Sequence, residues 1–148
     1  MTNFNEIIEE IINELKKHNV SHEKLEEVRK AYNLASEIHK EQYRQSGEPY
    51  IIHPLAVAKI LIFEMDIYDP DTIISAILHD VIEDSKGKIK KDDLEEIFNS
   101  DCAILVDGVS KISRMDFLTK KDQNLANFRK IINGLTKDIR IILIKLAD

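Results

Sequence analysis

Apolar residues recur along this chain three and four positions apart, the spacing of helix faces rather than of strands. Over residues 4–18 the stripe is Ile7, Ile8, Ile11, Ile12 and Leu15, and Asn3 with Glu6 fits a capping box at its start. Ser21 caps a second helix, predicted to reach about Tyr43, with Leu25, Val28, Ala31, Tyr32, Ala35 and Ile38 facing inward. Gln45, Ser46, Gly47, Glu48 and Pro49 break the pattern and predict a loop. Pro54 suits the first turn of a helix over residues 55–65, and His53 before it is expected to be extended. Asp69 and Pro70 repeat that punctuation and open a helix predicted to run unbroken to about Asp84.

Beyond that point Asp92 and Glu95 suggest a capping box for a short helix ending near Phe98. Residues 103–112 predict a helix, and residues 113–121, with Arg114, Lys120 and Lys121, a polar and basic loop. Thr119 and Asp122 could cap a further helix carrying Phe128, Ile131, Ile132 and Leu135, closing at Gly134. Residues 138–148 are rich in Ile and could pass for a strand on propensity alone. In an otherwise helical chain a buried helix is the better reading. The expectation is an all-α domain, a bundle of about seven to eight helices.

Composition narrows the class. With 148 residues there is room for one domain with a real core, and too little for two. The net charge of -6 speaks against gripping a nucleic-acid backbone, which needs a basic face. One cysteine, Cys102, cannot form an internal disulfide, which suits a reducing cytoplasm. Its neighbours Ala103, Ile104 and Leu105 predict a buried thiol rather than a nucleophile. Glu6, Glu9 and Glu10 interrupt the first apolar residues, so no secretory signal is read there. No apolar run approaches the roughly 18 residues of a membrane span. A cytoplasmic protein with neither a membrane nor a nucleic-acid partner is expected.

Candidate chemistry concentrates in Ile77-Leu78-His79-Asp80-Val81-Ile82-Glu83-Asp84-Ser85. A His and three carboxylates within an apolar run need partners, and a cation can offset several of them at once. If the run is one helix, His79 and Glu83 share a face at i, i+4, and Asp80 and Asp84 share the next. His53 stands at a loop-to-helix junction, and Asp148 ends another apolar helix and could supply a fourth ligand. Any one of these alone is commonplace: a capping His, a chance dipeptide, a solvated terminal charge. Together, on separate apolar segments, they predict a site for a divalent first-row ion, with Mn, Fe and Zn all compatible. Such an ion, with open positions, polarises a phosphoryl oxygen or lowers the pKa of water.

The set His53, His79-Asp80 and Asp148 resembles the H…HD…D signature of the HD-type metal-dependent phosphohydrolases. The stretches Arg44 to Pro54, Leu78 to Ser85, Leu105 to Ile112 and Ile139 to Asp148 resemble, more closely, the N-terminal hydrolase domain of the RelA/SpoT homologues. That resemblance implies His53, His79, Asp80 and Asp148 as ligands of Mn²⁺, and Glu83 and Asp84 as the catalytic pair that handles the attacking water. It implies a substrate-binding loop of Arg44, Gln45 and Ser46, with Arg44 against a guanine base. The implied substrate is ppGpp or pppGpp, and the implied reaction is 3′-pyrophosphohydrolysis to GDP or GTP and pyrophosphate. Departures from the family pattern include Gln45 where a second basic residue is usual and Glu41-Gln42 where Gly-Gln is usual.

A carboxylate closing an apolar helix sits against the negative end of the dipole, an odd natural ending. The family continues past the position of Asp148. The chain is therefore expected to be one hydrolase domain, cut at its C-terminal edge from a bifunctional parent with a following synthetase domain. Two alternatives stand beside this reading: an HD phosphohydrolase acting on another nucleotide, and a non-catalytic nucleotide-sensing module.

Overall fold

A computed structural model describes the backbone of residues 3–122 and 138–148, with side chains described through Ser113 and again from Asp138. Among the described residues eight helices follow in order: α1 (Phe4–Lys17), α2 (His22–His39), α3 (Ile52–Lys59), α4 (Pro70–Ile77), α5 (Val81–Asp84), α6 (Lys91–Ile97), α7 (Ser100–Asp122) and α8 (Ile139–Ala147). A single π-helical turn, Ile60–Glu64, extends α3. Among the described residues there is no strand, only an isolated bridge between Tyr43 and Pro49. The expected all-α class holds. The helix placed around Phe128 to Leu135 lies outside the described residues.

Apolar spacing builds the core. Ile8, Ile11, Ile12 and Leu15 of α1 are buried, as are Leu25, Val28, Ala31 and Ala35 of α2. Burying each large aliphatic side chain contributes about 1.5–3 kcal/mol, which sets the stacking of α1 on α2 and α3. Helix α4 is buried from Thr72 to Ile77 and packs against α2, α3, α7 and α8. A helix covered on all sides reads as continuously apolar, as Ile73, Ile74, Ala76 and Ile77 do.

Caps fall mostly where expected. Asn3 accepts from the Asn5 amide, Ser21 from Lys24, and Asp69 from Thr72, with Pro70 at the start of α4. Four expectations need correction. Helix α2 ends at His39, not near Tyr43. Helix α6 starts at Lys91, where the Asp93 carboxylate accepts from the Lys90 amide at 2.8 Å, so the cap is two residues earlier than Asp92 and Glu95 suggested. The segment 113–121 is helix, the second half of α7, not a loop. Arg, Met and Lys are all good helix formers, so a polar composition did not exclude it. His53 is helical, because α3 begins at Ile52 and takes Pro54 in its first turn, where the missing N–H costs nothing.

Two contacts fix α8, which carries Asp148. Gly108 of α7 gives Ile141 room: a Cβ there would overlap Ile141 Cδ1 and lie 3.0 Å from Cγ1. Arg140 donates to Asp138 and, at 2.9 Å, to Asp69, tying the start of α8 to the cap of α4.

Candidate metal centre

The apolar run holding His79 and Asp80 is not one helix. Helix α4 stops at Ile77, Leu78 to Asp80 form a turn, and α5 restarts at Val81. Leu78 (φ −94, ψ 0) and Asp80 (φ −101, ψ 1) occupy the bridge between helical and extended conformations. The expected i, i+4 faces therefore do not apply. Successive side chains of a helix diverge by about 100°. The turn instead brings His79 Nε2 within 3.0 Å of Asp80 Oδ2.

His53 from the first turn of α3 and Asp148 from the end of α8 complete the cluster. His53 Nε2 is 2.7 Å from Asp148 Oδ1 and 4.0 Å from Asp80 Oδ2. His79 Nε2 is 3.4 Å from the same Asp148 oxygen. The donor atoms of His53, His79 and Asp80 lie within 4.8 Å of one another. Lys145, one turn before Asp148, holds its second oxygen at 3.1 Å and also donates to Ser113.

His79 provides the test of whether these residues fit an ion. Its Nδ1 donates to the Ala76 carbonyl at 2.7 Å, which leaves the lone pair on Nε2. Nε2 is buried and has no hydrogen-bond partner among the described residues. A buried lone pair facing two carboxylates is repulsive unless a cation lies among them. Two imidazoles and two carboxylates are a donor set for a divalent first-row ion, so the residues fit. In the absence of an ion the same field attracts a proton. Burial pulls the His79 pKa down, but the Asp148 and Asp80 carboxylates raise it to about 10. Burial opposes ionisation of Asp148, yet His53, His79 and Lys145 hold it well below the carboxylate range. Asp80 is likewise lowered against burial, by His79 and Tyr50.

Glu83 and Asp84 follow on α5 but face different neighbours. Ser110 Oγ of α7 donates to Glu83 Oε1 at 2.8 Å. Asp84 is half-buried, its Oδ2 3.6 Å from Nδ1 of the buried His39. Burial first, and then Asp80, push the Asp84 pKa up, the direction a proton-accepting carboxylate near an anionic substrate needs. His39 Nδ1 meets Gln42 Oε1 at 2.5 Å. From the sequence His39 has no role and Gln42 only a place in the Glu41-Gln42 departure, because only the end of α2 at His39 turns them toward α5.

Arg44, Gln45 and Ser46 form the exposed tip of a closed loop. The Arg44 amide donates to Glu48 at 2.8 Å, Tyr50 donates to Gln42 at 2.9 Å, and Gly47 turns the chain at φ +90, where only glycine is at ease. These three residues line a shallow hollow with Tyr43 and Tyr50. Tyr50 joins this hollow to the ion site: its hydroxyl donates to Asp80 Oδ2 at 2.5 Å. Burial and that carboxylate push the Tyr50 pKa far up, so the hydroxyl keeps its proton. A second hollow, on α1, is lined by Glu6, Glu9, Glu10 and Glu14, charges that repel a polyanion.

A buried His beside a half-buried Asp at a helix break, completed by a His from one neighbouring helix and an Asp from another, defines a helical metal-site domain. Residues 31–148 match the HD domain, and the chain belongs to that family. Over 139 residues it is 45% identical to the bifunctional (p)ppGpp synthase/hydrolase SpoT of Escherichia coli (strain K12), covering 94% of this chain and 19% of that protein. It is 50% identical over 124 residues to the guanosine-3′,5′-bis(diphosphate) 3′-pyrophosphohydrolase of Vibrio cholerae, covering 84% of this chain and 17% of the relative. It is also 43% identical over 127 residues to the GTP pyrophosphokinase of Myxococcus xanthus, covering 84% of this chain and 16% of the relative. The chain thus spans less than a fifth of the length of these relatives. No described helix is long and apolar enough to cross a membrane.

Proposed function

We propose that this chain hydrolyses the 3′-pyrophosphate of ppGpp or pppGpp, releasing pyrophosphate and GDP or GTP. The observation that carries it is the unpartnered, buried Nε2 of His79, aimed at Asp80 and Asp148 beside His53. Identity of 45–50% to relatives named for this hydrolysis supports the choice of substrate. His53, His79, Asp80 and Asp148 would hold a divalent ion, Mn²⁺ by the family resemblance. When bound, that ion supplies positive charge next to the phosphate oxygens and lowers the pKa of water.

The rest of the chemistry falls to the chain. Glu83 and Asp84 orient the attacking water and accept its proton, with Ser110 fixing Glu83. Arg44, Gln45 and Ser46 bind the nucleotide, Arg44 presenting a planar cation to the base or its phosphates. Residues 1–148 act as one HD-type domain of a longer cytoplasmic protein that also carries a synthetase part, as the name of the E. coli relative describes for that protein.

The similarity to a GTP pyrophosphokinase keeps one other reading, a module that senses the nucleotide without cleaving it. The full-length protein incubated with ppGpp and Mn²⁺ separates them. The proposal expects GDP and pyrophosphate in equal amounts. Tight ppGpp binding without turnover at any divalent metal would support the sensing module, and turnover of other nucleotides alone would support a generic HD hydrolase.

A further inference from the structure

Tyr50 is outside the ion-binding, catalytic and loop residues assigned above, yet it contacts Asp80, His53 and Arg44 and packs on His39, the neighbour of Asp84. Its hydroxyl donates to Asp80 Oδ2, the same oxygen that faces His79 Nε2. Its ring stands edge-on to His53 at 5.7 Å and tilts against His39 at 4.8 Å, beside Asp84. The Arg44 guanidinium lies over its other aspect, 6.0 Å from the ring centre.

The backbone makes that hydroxyl necessary. Asp80 is the last residue of the turn into α5, and its side chain makes no capping bond to the helix it precedes. No capping bond therefore fixes the carboxylate; its Oδ2 lies between the adjacent His79 Nε2, at 3.0 Å, and the Tyr50 hydroxyl, the only hydroxyl bonded to it among the described residues. Tyr50 itself is anchored by its amide to Gln42, so the loop that carries Arg44 also carries the group that orients Asp80.

We propose that Tyr50 is a two-ended positioning residue: its hydroxyl sets the Asp80 carboxylate for the ion, and its ring seats Arg44 for the nucleotide. The first half stands on geometry, while the second rests on the nucleotide reading above. Hydrogen-bonded supports of this kind change metal affinity by about 10–100-fold when removed. A cation held over an aromatic face at an exposed site is worth roughly a two- to fivefold change in binding.

Two variants divide the roles. Tyr50→Phe removes only the hydroxyl: Mn²⁺ affinity, titrated without nucleotide, is expected to fall about 10–100-fold. At saturating Mn²⁺ the same variant should keep its ppGpp affinity, because the ring remains. Tyr50→Leu should lose both, and adding Arg44→Ala to it should weaken ppGpp binding about two- to fivefold less than Arg44→Ala does in the wild type. Circular dichroism and urea midpoints establish that each variant is folded. If Tyr50→Leu fails to fold, Arg44→Ala compared in the wild-type and Tyr50→Phe backgrounds decides the ring half, since equal losses in both are expected. Unchanged Mn²⁺ affinity in Tyr50→Phe overturns the hydroxyl half, whatever the substrate. Additive losses from Tyr50→Leu and Arg44→Ala, or unequal losses from Arg44→Ala in those two backgrounds, overturn the ring half. Absence of ppGpp binding in the unaltered protein overturns that half together with the nucleotide reading, and leaves the Mn²⁺ result standing.

Discussion

Gly108→Ala tests how Asp148 reaches the site. An added Cβ would overlap Ile141 Cδ1 and lie 3.0 Å from Cγ1 and 3.3 Å from Cγ2. Ile141 is buried and cannot swing into solvent, so relief has to come from moving α8 off α7. Overpacking of this kind costs about 1–3 kcal/mol, while Ala in place of Gly inside a helix recovers about 1 kcal/mol. The net loss of stability is therefore modest, up to ~2 kcal/mol. The sharper consequence is local. Asp148 lies seven residues beyond Ile141, two turns along the same side of α8, and a shift there carries the carboxylate away from His53 and His79. Urea unfolding should show the small loss, and Mn²⁺ titration a loss of affinity out of proportion to it. Ile141→Val removes the overlapping Cδ1; alone it should cost about 0.5–1.5 kcal/mol. In the Gly108→Ala background it should cost less than that or stabilise, and restore part of the Mn²⁺ affinity. Undiminished stability and unchanged Mn²⁺ affinity in Gly108→Ala would show that the Gly108–Ile141 contact does not place Asp148.

Other consequences follow from the site. Glu83→Gln should keep Mn²⁺ bound and lower kcat about 10²–10⁴-fold, read as a drop in pyrophosphate release at saturating Mn²⁺; lost Mn²⁺ would make Glu83 a ligand instead. Mn²⁺ binding should be coupled to pH. The ion-free site holds a proton on His79, raised to about 10 by Asp148 and Asp80 against burial, and the ion must displace it. Apparent affinity should rise with pH up to that value, by about tenfold per unit. Titration calorimetry in two buffers of different ionisation enthalpy should show about one proton released per ion near neutral pH. The same proton stabilises the ion-free fold. Because the folded pKa lies above the ordinary value of 6.5, that contribution is complete below 6.5 and lost as pH rises toward 10.

Helix existence was legible because apolar residues such as Ile8, Ile11, Ile12 and Leu15 repeat at helical spacing and are the ones buried. The donor types of the site were legible too: a His and carboxylates within apolar segments have few stable fates except ligation. The break at Leu78 to Asp80 was not legible. Those residues continue an apolar helical pattern, and the break goes with one local bond, His79 Nδ1 to the Ala76 carbonyl, and one tertiary bond, the Tyr50 hydroxyl to Asp80. His53 shows the opposite override. Proline discourages helix in the residue before it, but α3 begins ahead of both. Tyr50, His39 and Gln42 carry no motif chemistry of their own, and matter only because the loop and the end of α2 fold them against α5.

The proposed site joins His53, His79, Asp80 and Asp148 around one divalent ion. Its most direct test is Mn²⁺ titration of the unaltered protein beside His79→Ala, followed by electron paramagnetic resonance. One ion per chain, absent or greatly weakened in His79→Ala while the helical circular dichroism is retained, is the predicted result. Equal Mn²⁺ binding by the two proteins would contradict it.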